Sequence, residues 1–192
     1  MNKELVFLVE GQAEKDLLEG LLPRLLPEAV GHRVIPFEGK QDLEKQLTRR
    51  IRGYLNPQAR FIVIRDQDSH PDCVALKQGL LARCRESGRA AHCLVRIACT
   101  ELEAFYLGDL AAVERGLALR GLARQQGKQK YRDPDRLLSP SRELLDLTDR
   151  RYQKRAGSRA IAPHLDLDQP GSPSFRQLLA GIRRMCAELQ AA

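Results

Sequence analysis

Short apolar runs alternate, along the first half of this chain, with longer stretches whose apolar residues recur every three or four positions. Residues 5–9 (Leu-Val-Phe-Leu-Val) and 61–64 (Phe-Ile-Val-Ile) are too short for helices and read as strands buried on both faces. Residues 32–37 (His-Arg-Val-Ile-Pro-Phe) and 92–98 (His-Cys-Leu-Val-Arg-Ile-Ala) predict two more strands, and Pro36 points to an edge position for the former. Leu17, Leu18, Leu21, Leu22 and Leu25 trace a helical stripe over 12–26, kinked or shortened at Pro23 and ended by Pro27. A second helix runs from an Asp42 cap through Leu43, Leu47 and Ile51 to Gly53. A third starts at Pro71 and Asp72 and continues through Val74, Leu76, Leu80 and Leu81 to Gly88. Strand followed by helix, with short connections, predicts an α/β fold: a mostly parallel four-stranded sheet covered by helices.

After residue 108 the pattern changes. Leu110, Val113, Leu117 and Leu119 predict one or two short helices. Residues 121–132 carry Arg124, Lys128, Lys130 and Arg132 with no apolar period after Leu122, which reads as a mobile loop. Leu137, Leu138, Leu144, Leu145 and Leu147 look helical again. Residues 152–159 (Tyr-Gln-Lys-Arg-Ala-Gly-Ser-Arg) have the look of an anion-binding turn, with a plain soluble loop as the competing account. Ser172-Pro173-Ser174 opens a last helix through Phe175, Leu178, Leu179, Ile182 and Met185. The chain therefore divides into an α/β core, 1–110, and a basic, mainly helical extension, 111–192, packed on the core as one structural unit.

Charge follows the same division. Residues 1–110 hold 16 Lys/Arg against 16 Asp/Glu, so the whole net charge of +7 lies in 111–192. A basic region confined to one part of a fold is the footprint of a polyanion site. No apolar run reaches membrane-spanning length. Five cysteines, an odd number without any Cys-x-x-Cys, fit a reduced, cytoplasmic protein better than a disulfide framework or a zinc site. The absence of a glycine-rich phosphate loop argues against intrinsic ATPase or kinase activity.

Three of the four predicted strands run into acids: Glu10, the pair Asp66 and Asp68, and the pair Glu101 and Glu103. In parallel sheets, ligands collect at the carboxyl ends of the strands. Asp66 and Asp68 are two apart, which on extended backbone sends them the same way, and Glu14 lies one helical turn beyond Glu10. Gly11 permits a tight turn and a close approach by a ligand. Clustered carboxylates repel unless a proton or cation lies between them, and an oxygen-only set suits Mg²⁺ or Mn²⁺ better than zinc. The competing account is a set of solvated turn acids. His70 and Asp72 fit an exposed turn rather than a ligand set, and Cys99 or Thr100 caps the short helix after the fourth strand.

These residues carry a resemblance. Glu10-Gly11 between strand and helix, followed by Asp66-x-Asp68 after a strand, resembles the Toprim domain of topoisomerases, primases and the overcoming-lysogenization-defect nucleases. Residues 9–14, 65–69, 97–109 and 157–164 are more closely similar to a bacterial Toprim-like family of unknown function, family 4276. The resemblance implies general acid/base or metal-linked work for Glu10 and Mg²⁺ binding by Asp66 and Asp68. One departure stands out: Ser69-His70-Pro71-Asp72 replaces the glycine that often follows the second Asp.

The expected function is a metal-dependent phosphodiester hydrolase acting on nucleic acid. Glu101 and Glu103 would hold a second ion, while Lys128, Lys130, Lys154, Arg155 and Arg159 would contact backbone phosphates. Family members similar to partners of ATPases in anti-phage gene pairs imply an ATPase subunit as partner. The alternative is a non-catalytic interaction or regulatory subunit of an ATPase complex. A haloacid-type phosphatase would want its Asp-x-Asp after the first strand, and covalent topoisomerase chemistry would need a further domain. DNA against RNA, strandedness and homo-oligomerisation are left open by the sequence.

Overall fold

The computed structural model describes residues 3–191. Four strands, β1 (Glu4–Val9), β2 (Gly31–Pro36), β3 (Arg60–Asp66) and β4 (Cys93–Ala98), form one parallel sheet in the order β2-β1-β3-β4. The helices α1 (Gln12–Leu25), α2 (Lys40–Arg52) and α3 (Cys73–Glu86) make the crossovers. Nearly every residue of the two central strands is buried, as their unbroken apolar runs require. Pro36 closes the edge strand β2 opposite Val9, where a missing N–H costs the sheet least.

The remaining helices are α4 (Glu103–Leu107), α5 (Leu110–Gly116), α6 (Gln129–Arg132), α7 (Pro140–Leu147), α8 (Lys154–Ile161) and α9 (Pro173–Ala191). Alternate strand residues feed two apolar layers. Val6, Leu8, Phe61, Val63 and Val95 meet Leu43, Leu47 and Ile51 of α2 and Leu80 of α3. Leu5, Phe7, Val9, Ile62 and Ile64 meet Leu17 and Leu21 of α1, together with Phe105, Ile161, Phe175 and Ile182. Residues from both sides of position 110 thus share the second layer.

Several local expectations are corrected. Pro23 lies inside α1, which continues to Leu25. Asp42 does not cap α2. Gly39, at φ 98°, precedes its first residue, while the Asp42 carboxylate accepts from the Glu38 N–H at 3.2 Å. Residues 121–132 are not an open loop. The Gln126 side chain accepts from the Leu110 N–H at 2.7 Å and donates to the carbonyls of Leu107 and Tyr131, and Tyr131 is buried. Residues 152–159 are not a turn, because from Lys154 onward they form α8, which packs against α1. Neither Cys99 nor Thr100 caps α4 through its side chain: the Thr100 hydroxyl donates to the Leu137 carbonyl at 2.8 Å.

Candidate functional site

Parallel strands put the ends of β1, β3 and β4 on one rim, and the acids stand there. Glu10 follows β1, Asp66 is the last residue of β3, and Glu103 opens α4 just beyond β4. The β3 and β4 exits are tied together. Gln67 N–H donates to the Ala98 carbonyl at 2.9 Å and Asp68 N–H to that of Thr100 at 2.7 Å. Asp68 has φ 51°, in the left-handed region, so the extended-backbone argument for a parallel Asp pair does not hold. Asp66 is buried, 3% exposed. Asp68 is half-buried and pairs with Lys40, the first residue of α2, at 2.9 Å.

Glu14 joins them from the first turn of α1, 4% exposed. A Cβ on Gly11 would lie 3.3 Å from its Oε2. Gly11 itself has φ −161°, which any residue adopts, so what crowds it is the chain's own carboxylate.

The electrostatics follow from burial. Desolvation, then repulsion from Glu14, Glu103 and Glu10, pushes the Asp66 carboxyl well above the usual range, against the pull of Lys154. Glu10 is raised by burial and by Asp68 and Glu14, opposed by Arg65 and by the Asp66 N–H. Glu103 is raised by burial, opposed by Lys154 and by the Tyr152 hydroxyl, which donates to it at 2.9 Å. Lys154 is the mirror image. Burial would lower it, but Glu103, Asp66, Glu14 and Glu10 together hold it charged above its ordinary value. Three buried carboxylate oxygens of this cluster, Glu10 Oε2, Asp66 Oδ1 and Glu103 Oε2, have no hydrogen-bond partner.

The remaining sequence-derived candidates have partners of their own. Glu101 turns one oxygen to the start of α7, accepting from Ser141 N–H at 2.7 Å. Lys154 acts on the acids, whereas Arg155 and Arg159 pair with Asp16 of α1 at 3.2 and 2.8 Å. Asp16 is 4% exposed. Lys128 is on the surface and donates to Gln125. Lys130 pairs with Glu143 at 2.6 Å. Asp72 caps α3, accepting from Val74 and Ala75 N–H, and His70 accepts from the Asp72 N–H. Sequence reasoning missed Lys40, Arg65, Asp16 and the role of Tyr152. For Asp16, the signal was the spacing of Arg155 and Arg159, one helical turn apart. Among the described residues, no three His, Cys, Asp or Glu side chains already stand as a metal-holding group.

The chain matches, over residues 9–183, the family described as Domain of unknown function (DUF4276). It belongs to that family. Among solved structures, the C-terminal region of the Burkholderia pseudomallei OLD protein is similar, with a TM-score of 0.57 and 20% identity. The alignment covers 95% of this chain and 98% of that one. At that identity the likeness concerns the fold, which is Toprim-like: a parallel four-stranded sheet with helices on both faces. A comparison with curated proteins found no match. No helix among the described residues is long and apolar enough to cross a membrane.

Proposed function

We propose that this chain is a metal-dependent phosphodiester hydrolase acting on nucleic acid. The observation that carries the reading is the set of orphaned carboxylate oxygens on Glu10, Asp66 and Glu103, buried together at the strand ends. A buried anion without a partner is costly, and a divalent cation offsets that cost. The donors are all oxygens, which fits Mg²⁺ or Mn²⁺. Glu10, Asp66 and Asp68 would hold one ion, and Glu14 and Glu103, with Glu101, a second. When bound, such ions supply Lewis-acid stabilisation of a phosphate and a nucleophile at neutral pH.

The chain's own residues do the rest. Glu10, with its raised proton affinity, suits proton transfer. Lys154, held charged among the acids, would donate to a non-bridging phosphate oxygen. Tyr152 fixes the orientation of Glu103. Lys40 holds Asp68 at the mouth. Lys128 and Lys130, with the solvent-facing parts of Arg155 and Arg159, would contact backbone phosphates beyond the reacting one.

A second reading also has an observation behind it. Lys154 and Lys40 already serve as counter-charges to the acids, and no ready-made metal group is present among the described residues. On that reading the acids are structural and the chain is a non-catalytic subunit docking on an ATPase. A cleavage assay on labelled duplex and single-stranded DNA and RNA separates the two. It compares the wild type and Asp66→Asn, in Mg²⁺ or Mn²⁺, with and without an ATPase encoded beside it. Metal-dependent cleavage lost in Asp66→Asn supports the nuclease. Nucleic acid left intact under every condition, with ATPase turnover altered by the chain, supports the subunit.

A further inference from the structure

A second polar feature lies behind the acids. One position before Asp66, Arg65 turns to the α2–α3 face of the sheet, where it is 6% exposed. It lines a cavity of about 210 Å³ together with Glu44, His70, Leu76, Gly79 and Arg83. Glu44 holds both guanidinium groups, Arg65 at 3.2 Å and Arg83 at 3.6 Å. Arg83 Nε also donates to the Glu44 carbonyl at 2.8 Å. Among the lining residues, one carboxylate faces two guanidinium groups, and Arg65 Nη1 also donates to the Asp66 carbonyl at 3.4 Å.

Unused donors accompany these groups. Arg65 Nε is buried and has no hydrogen-bond partner. A guanidinium cannot shed its proton to escape the cost, so this N–H remains a donor in want of an acceptor. His70 adds another donor: its Nδ1 accepts from the Asp72 N–H at 3.1 Å, so the ring carries a proton on Nε2. A cavity of this size, walled by fixed donors and two guanidinium groups, suits a tetrahedral oxyanion. Arginine forks are the side chains that hold phosphate best.

We propose that this cavity is a phosphate-binding site, engaging a phosphate of the nucleic-acid strand one or more linkages from the one at the acids. The inference rests on the nuclease reading only for the source of the phosphate. The site and the acids are mechanically joined: His70 sits on the loop that follows Asp66 and carries Asp68, and the Gln67 side chain donates to its carbonyl at 2.9 Å. Arg65 also acts electrostatically on Glu10 and Lys40.

The test uses the whole chain without divalent metal, so that cleavage plays no part. Inorganic phosphate is titrated against the wild type, read by melting temperature and by phosphorus NMR line width. Two variants are compared. Arg83→Ala removes a half-exposed wall. Gly79→Leu fills the cavity: a Cβ there meets nothing within 4 Å, and the helix interior gains propensity, so this variant folds. Saturable binding is expected in the wild type, weakened about tenfold in Arg83→Ala, as loss of one charged hydrogen bond implies, and abolished in Gly79→Leu. No saturation in the wild type, or full affinity in Gly79→Leu, overturns the site. Competition by short oligonucleotides assigns the source. Displacement by a 5′-phosphorylated strand alone indicates a strand terminus, and displacement by both phosphorylated and unphosphorylated strands an internal linkage. Displacement by neither overturns the strand assignment. Loss of cleavage in Asp66→Asn with phosphate binding intact would leave both readings standing, and absent cleavage with intact phosphate binding would fault the nuclease reading alone.

Discussion

The hydroxyl of Tyr152 donates to Oε1 of Glu103 across 2.9 Å. The bond joins two residues 49 positions apart and fixes one buried acid of the strand-end cluster from the C-terminal half of the chain. Tyr152 can sit there because Gly157, one turn into α8, has no side chain; a Cβ at 157 would collide with the Tyr152 ring.

Tyr152→Phe keeps the ring and removes the bond, leaving Oε1 of Glu103, like Oε2 already, without a side-chain partner. Stability in denaturant should fall by about 1–2 kcal/mol. Gly157→Ala should cost at least as much, because it displaces the ring itself, by about 1–3 kcal/mol. Equal stability of Gly157→Ala and wild type in urea titrations would refute the steric account.

The rim acids should contribute a loss of stability as pH rises in metal-free buffer. Burial, then mutual repulsion, holds Asp66 and Glu10 above the usual carboxylate range, and burial does the same for Glu103. The folded state therefore keeps protons that the unfolded chain releases. Its advantage is full below the unfolded-state values and is lost as pH climbs through the raised folded values. Asp66→Asn removes one of these groups and should flatten the slope. An identical slope in both proteins, from melts between pH 4 and neutrality (about the range where carboxyls titrate), would contradict the electrostatic assignment.

Millimolar Mg²⁺ or Mn²⁺ should raise the wild-type melting temperature, since a ligand of the folded state stabilises it. The rise should grow as pH increases and the acids give up their protons, and be small in Asp66→Asn. Chelation should reverse it. Calorimetry showing equal metal binding by wild type and Asp66→Asn would remove Asp66 from the ligand set.

Arg155 and Arg159 should prove structural as well as electrostatic. Changing both to Ala strands Asp16, which is 4% exposed, and should lower the melting temperature. The loss should shrink in an Asp16→Asn background, as a double-mutant cycle would register. Additive losses would mean that the pairing contributes nothing.

Lys128→Ala and Lys130→Ala leave the acids untouched. Each should weaken nucleic-acid binding across sequences and flatten the salt slope by about one unit. Binding isotherms at several salt concentrations on one duplex and one single strand provide the check. Unchanged slopes would move the contact surface elsewhere.

The sequence by itself determined the sheet and its acidic rim. Runs such as 5–9 and 61–64 are apolar at every position, which only a strand buried on both faces satisfies, and parallel connection then places Glu10, Asp66 and Glu103 at one end. Tertiary structure alone decided how those acids are arranged. Asp68 sits in left-handed backbone and pairs with Lys40, and nothing in the alternation of apolar and polar residues encodes a single positive φ. The C-terminal half was least legible. Residues 152–159 are polar and basic, with no aliphatic residue larger than Ala to mark a core face, yet from Lys154 onward they form a helix whose Arg155, Arg159 and Lys154 meet the counter-charges of Asp16, buried on α1, and of the rim acids. Partners more than a hundred residues apart carry no local signal. Burial made Asp16 need a cation, and only the packing of α8 on α1 provided one.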